Sequence, residues 1–99
     1  MIIKGLPINE KELGEFCEEH DIRFLGVFGS YARGDFNADS DVDLLVQFSK
    51  PKTLFQLVNI EDMLSQMLGR KVDLLTEKAI SPYLIQKVKK ELIPLRDAA

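Results

Sequence analysis

The stretch that decides the fold is Val27-Phe28-Gly29-Ser30-Tyr31-Ala32-Arg33-Gly34-Asp35-Phe36-Asn37-Ala38-Asp39-Ser40-Asp41-Val42-Asp43-Leu44-Leu45-Val46. It opens as an apolar run, breaks at Gly29-Ser30, crosses a polar loop and enters a second apolar run that starts with two carboxylates. Short apolar runs bounded by Gly, Ser and Asp read as strands. The stretch therefore reads as two strands, with a phosphate-gripping turn at the end of one and a metal-holding pair at the start of the other.

Side chains of a strand alternate between faces with period two, so Asp41 and Asp43 share one face while Val42, Leu44 and Val46 take the other. Two like charges about 6–7 Å apart repel by roughly 2–3 kcal/mol at an effective dielectric near 20. A cation or a proton relieves that repulsion. Carboxylate oxygens are the ligands Mg²⁺ prefers, and Mg²⁺ commonly shares its shell with substrate phosphates. Taken alone, Asp-x-Asp is also the pattern of a solvated strand end.

Gly29 follows Leu25-Gly26-Val27-Phe28, a buried strand by composition. Glycine there reaches backbone angles closed to other residues and admits a close neighbour. Ser30 opens a segment long enough for one helical turn, whose first N–H groups and Ser30 hydroxyl can face an anion. Arg33, one turn on, can donate a bidentate pair to a phosphate. Gly-Ser by itself is an ordinary turn. The two features gain meaning together, because the ten residues from Tyr31 to Ser40 set them at neighbouring strand ends.

Gly29-Ser30, ten residues and Asp41-Val42-Asp43 resemble the signature of the DNA polymerase β-like nucleotidyltransferases. The fuller string, Gly-Ser-x-Ala-Arg-Gly and then Ser-Asp-x-Asp-Leu-Leu-Val, is similar to that of the minimal nucleotidyltransferases (MNT), often the antitoxin half of HEPN/MNT toxin–antitoxin pairs. The motif covers about a fifth of the chain, and the size and element order fit the family throughout. The resemblance implies an α+β fold, with a small mixed sheet of three to four strands packed with helices. It implies Mg²⁺-dependent transfer of AMP from ATP to a hydroxyl. Asp41, Asp43 and Asp73 are then the catalytic, metal-holding carboxylates, and Gly29, Ser30, Arg33 and Ser40 contact the nucleotide. Two Mg²⁺ ions are expected, with Asp73 helping to activate the attacking hydroxyl. Asp73 competes for that role with Glu77, and its bland alternative is pairing with Arg70 or Lys71. The implied acceptor is a tyrosine of a partner HEPN ribonuclease toxin.

Composition is consistent with this. Ninety-nine residues suit one domain, 1–99, with a modest core. The net charge of −3 argues against general nucleic-acid coating. Cys17 is the sole cysteine, which excludes an internal disulfide and suits a reducing prokaryotic cytoplasm. No apolar run approaches a membrane span, and Met1-Ile2-Ile3-Lys4 is too short for a secretory signal.

Along the chain, Asn9 with Glu12 resembles a capping box for a helix reaching about His20. Its Leu13, Phe16 and Cys17 share one face, and His20 is read as a complement to the helix dipole. Strands are expected at Ile22–Phe28, Asp41–Phe48 and Lys71–Leu75. Thr53 caps a helix to about Leu68, expected to pack on the sheet through Leu54, Leu57, Val58, Leu64, Met67 and Leu68, with Gly69 as its stop. A last helix runs from Tyr83 to about Leu92, and its Lys87, Lys89 and Lys90 read as a solvated face.

Three other readings compete. An antitoxin that neutralises by binding alone would keep the fold and lose turnover. A small-molecule nucleotidyltransferase of the aminoglycoside type carries an extra helical domain that this sequence lacks. An EF-hand start at Asp39 fails, because its sixth and twelfth positions hold Leu44 and Lys50 where glycine and glutamate are needed.

Overall fold

The computed structural model describes residues 5–98, so Met1-Ile2-Ile3-Lys4 lies outside the described residues. The elements run α1 (Glu10–Glu19), β1 (Ile22–Phe28), α2 (Ser30–Arg33), β2 (Val42–Phe48), α3 (Leu54–Leu68), β3 (Val72–Thr76), a 3₁₀ turn (Glu77–Ala79), α4 (Ile85–Glu91) and β4 (Ile93–Asp97). The four strands form one mixed sheet in the order β3-β2-β1-β4. β1 pairs antiparallel with both β2 and β4, while β2 and β3 are parallel. A parallel pair needs a crossover, and α3 supplies it.

Local chemistry sets the boundaries. The Asn9 side chain accepts the Glu12 N–H at 3.1 Å and starts α1. Thr53 and Gln56 form a complete capping box, each side chain accepting the other's backbone N–H. Gly69 ends α3 in the left-handed conformation, φ 67°.

Strand alternation sorts the apolar residues onto two faces. Leu25, Val27, Val42, Leu44, Val46, Val72 and Leu74 pack beneath α1 and α3 with Leu13, Phe16, Cys17, Ile60, Leu64 and Leu68. On the other face Phe28 and Leu45 meet Val88 of α4, with Phe24, Leu75, Ile80 and Leu92 around them. The outer edge of the sheet at β3 is covered by α3: Glu61 accepts the Leu74 N–H at 2.8 Å and Ser65 accepts the Val72 N–H at 3.0 Å.

One expectation changes. Leu54 and Val58 do not pack on the sheet; they are 75% and 55% exposed, beside Phe55 at 89%. The core-facing stripe of α3 is Ile60, Leu64 and Leu68 with Leu57, Met63 and Met67 beside it, whereas Leu54 and Val58 share the helix flank that carries Glu61 and Ser65. The fourth strand that the expected three-to-four-stranded sheet allows, and that no segment of the sequence reading located, is β4. Pro94 weakens its pattern, but proline is tolerated on an edge strand, which β4 is. Among the described residues, no helix is long and apolar enough to cross a membrane.

Candidate active site

The candidate site lies where β1 ends and where β2 and β3 begin. Antiparallel pairing sets Phe28 opposite Asp43, so the Gly29-Ser30 turn emerges beside the start of β2. Parallel pairing sets Asp43 opposite Asp73 in register. Val42 and Val72 flank them on the α1/α3 face, so both carboxylates take the α4 face. Asp41 lies two residues before Asp43, just outside the strand.

Gly29 is what allows this closeness. Its backbone, φ 74° and ψ −150°, is essentially reserved for glycine. A Cβ there would overlap Asp43 Oδ2. The Asp43 carboxylate thus lies against the Gly29 α-carbon. Ser30 begins α2, and the Gly29 carbonyl accepts from Ala32 and Arg33 at 3.1 and 3.0 Å. The N–H groups of Ser30 and Tyr31 are the ones that helix geometry leaves without an intrahelical acceptor. Ser40 closes the loop by accepting the Asn37 N–H through its hydroxyl at 2.9 Å.

The electrostatics follow from the crowding. Burial, then the charges of Asp73 and Asp41, push the Asp43 carboxyl above its ordinary range, against a smaller downward pull from Arg33. Among the described residues Asp41 pairs with Lys71, at 3.8 Å and with both side chains well exposed, a contact worth little. Asp73 is not tied to Lys71, which faces Asp41, or to Arg70, which donates to the Ala38 carbonyl. Glu77 sits in the 3₁₀ turn, where Lys89 holds it at 2.7 Å. Of the two candidates for a third carboxylate, Asp73 is therefore the one beside Asp43.

Asp41, Asp43 and Asp73 are the side chains that could hold a divalent ion, although among the described residues no three His, Cys, Asp or Glu side chains already converge as ligands. Their chemistry fits a hard cation. All three offer carboxylate oxygen, and two of them raise the third's affinity for a proton, which is the penalty that a cation removes.

One residue of the site escaped the sequence reading. Glu91, the last residue of α4, accepts the Gly29 N–H on Oε2 at 3.1 Å and pairs through Oε1 with Arg33 Nη1 at 3.0 Å. Arg33 Nε meanwhile donates to Asp35 at 3.1 Å. Glu91 ends a lysine-rich segment that reads as a solvated face, and no local pattern singles it out.

A mixed sheet with an acidic pair beside a Gly-Ser turn defines the class as nucleotidyltransferase, and residues 10–95 match the family model of the nucleotidyltransferase domain. The chain is 36% identical to the protein adenylyltransferase MntA of Thermococcus cleftensis over 89% of this chain and 86% of that one. It is 38% identical to a Methanocaldococcus jannaschii protein provisionally named a protein adenylyltransferase, over 77% of this chain and 79% of that one. A solved structure described as a minimal nucleotidyltransferase superposes with a TM-score of 0.72 at 37% identity, covering 86% and 87% of the two chains. A toxin–antitoxin structure with AMP-PNP superposes at 0.75 with 23% identity, a likeness of fold, over 91% and 74%. The chain belongs to the minimal nucleotidyltransferase family.

Proposed function

We propose that this protein transfers AMP from ATP to a hydroxyl, a tyrosine, of a HEPN ribonuclease toxin and so acts as its antitoxin. The observation that carries this reading is the register of Asp43 with Asp73 directly beside Gly29. That arrangement suits a ligand with phosphates at one end and a divalent ion at the other. The names of the relatives support the chemistry: MntA of Thermococcus cleftensis is a protein adenylyltransferase. Among the fold neighbours are a toxin–antitoxin complex with AMP-PNP and a tri-AMPylated HEPN toxin with its MNT antitoxin.

In this reading Asp41, Asp43 and Asp73 hold Mg²⁺, two ions being the expected number. Bound there, Mg²⁺ would neutralise phosphate charge and lower the pKa of the acceptor hydroxyl. The chain's own groups do the positioning. The N–H groups at the start of α2 and the Ser30 hydroxyl donate to phosphate oxygens, and Arg33 offsets their charge. Ser40 holds the loop that carries Asp41. Asp73 orients the attacking hydroxyl in line with the α-phosphorus; as its oxygen bonds to that phosphorus the α–β phosphoanhydride bond breaks, pyrophosphate leaves and the hydroxyl proton passes to water. Position and electrostatics supply the acceleration, without a covalent intermediate.

The test is incubation of the purified protein with Mg²⁺, α-labelled ATP and a HEPN toxin. Label is expected on the toxin, together with loss of its ribonuclease activity. Inhibition without label would assign neutralisation to binding alone.

A further inference from the structure

Given nucleotide transfer as the reaction, we propose that Glu91 is a gating residue of the nucleotide site: its carboxylate occupies the Gly29 N–H and the Arg33 guanidinium until the phosphates of an incoming nucleotide displace it.

The geometry sets up a competition. One carboxylate spans two groups from the Gly-Ser turn, with Oε2 on the Gly29 N–H at 3.1 Å and Oε1 on Arg33 Nη1 at 3.0 Å. A carboxylate and a pair of phosphoryl oxygens make equivalent demands on a guanidinium fork. Asp35 takes Nε of the same fork at 3.1 Å, so Arg33 is already shared between two carboxylates. The Glu91 side chain is only 15% exposed, whereas Asp35 is 61% exposed. Glu91 is thus the better-shielded partner of Arg33. The Gly29 N–H is a single donor, so a phosphate that recruits it must take it from Glu91, and one that also draws on Arg33 Nη1 competes with the same carboxylate.

Charge adds to the competition. Glu91 acts on Asp43 in the same direction as Asp41 and Asp73 do. Left in place, it would be a fourth negative group facing a polyanionic ligand, which is unfavourable in a half-buried site. Once displaced, it has somewhere to go. Lys87 lies one turn earlier on α4 and already acts on the Glu91 carboxylate, at the spacing where helical side chains pair. Only the side chain needs to swing; α4 stays anchored through Val88.

Occupancy of the donors by Glu91 lowers apparent nucleotide affinity by the fraction of molecules in which they are free. The test measures binding of Mg²⁺–AMP-PNP by calorimetry to the wild type, Glu91→Gln and Glu91→Ala. Gln retains an oxygen for the Gly29 N–H and gives up the charged pair with Arg33. Both variants are expected to bind about three- to tenfold more tightly than wild type. Equal or weaker binding by Glu91→Gln, with wild-type binding intact, overturns the gate and leaves the nucleotide reading standing. Failure of every protein to bind AMP-PNP overturns both. Should the variants not fold, the wild type still decides: with ¹³C-labelled glutamate and ¹⁵N-labelled glycine, saturation with Mg²⁺–AMP-PNP is expected to move the Glu91 carboxylate and Gly29 amide resonances together. A Glu91 resonance that stays unmoved at saturation overturns the proposal.

Discussion

Asp43 and Asp73 stand opposite each other on neighbouring parallel strands, 30 residues apart in sequence and in direct register. Burial first, and then the charge of Asp73, make Asp43 take up protons more readily. Such a pair weakens a fold that has no ligand for it, so the pair is the first place to test.

Asp43→Asn is expected to reduce nucleotide transfer by about a hundredfold or more, since even outer-shell changes at metal sites cost 10–100-fold. The apo protein should become no less stable. A carboxyl whose pKa is raised in the fold opposes folding at pH values above its unfolded pKa, so at neutral pH its removal is neutral or stabilising. Paired measurements of label transfer and thermal midpoint check both parts. Unimpaired turnover would remove Asp43 from the catalytic set.

Asp73→Asn should abolish transfer to a similar extent, while Glu77→Gln should keep it and loosen only the contact of the 3₁₀ turn with Lys89. Rate measurements on the two variants side by side decide which residue is the third carboxylate. The reverse pattern would exchange their roles.

Gly29→Ala combines backbone strain of about 1–3 kcal/mol with a side chain placed on the Asp43 carboxylate. A lower unfolding midpoint and loss of nucleotide binding are expected together. Ser30→Ala should be milder: the fold stays intact and AMP-PNP affinity drops modestly, as for loss of one hydrogen bond to a charged group. An unchanged affinity would make the turn purely structural.

Asp21 provides a stability test away from the site. Lys52 donates to its carboxylate at 2.9 Å and Lys50 lies 3.8 Å away. The hydrogen bond from Lys52, with the nearby positive charges, holds its carboxyl below the usual carboxylate range. A depressed folded pKa stabilises the protein above the unfolded value and loses that effect as pH falls through the folded one. Asp21 also has φ 59°, a conformation asparagine tolerates. Asp21→Asn should therefore lower the thermal midpoint at pH 7, with the gap closing below about pH 4. A gap of equal size at pH 3 would rule out the charge as its cause.

Cys17 is fully buried, and burial pushes its thiol up to about 11. Native protein should resist thiol reagents at neutral pH, with labelling appearing only on unfolding. Fast labelling of the folded protein would show that α1 opens readily.

Much of this was legible from neighbours along the chain. Asn9, Thr53 and Gly69 fixed helix ends because capping is settled within four residues. Alternation placed Asp41 and Asp43 opposite Val42 and Leu44. Two features were not legible for the same reason. The apolar start of α3, Leu54 and Val58, has helical spacing like any core stripe, and only the docking of α3 through its Leu57, Ile60 and Leu64 face leaves it exposed. Strand β4 carries a proline that suppresses its local signal, and its pairing with β1 is decided by the edge that the returning chain meets.

By itself the sequence determined the Gly-Ser turn, the acidic pair on one strand face and the family to which they point, because each depends on backbone periodicity and residues close in the chain. Tertiary structure alone decided that Asp73 and not Glu77 stands beside Asp43, and that Glu91 crosses 62 residues to reach Gly29. Those choices depend on strand register and on where α4 docks, which follow from packing of the whole core and leave no mark on any short stretch of chain.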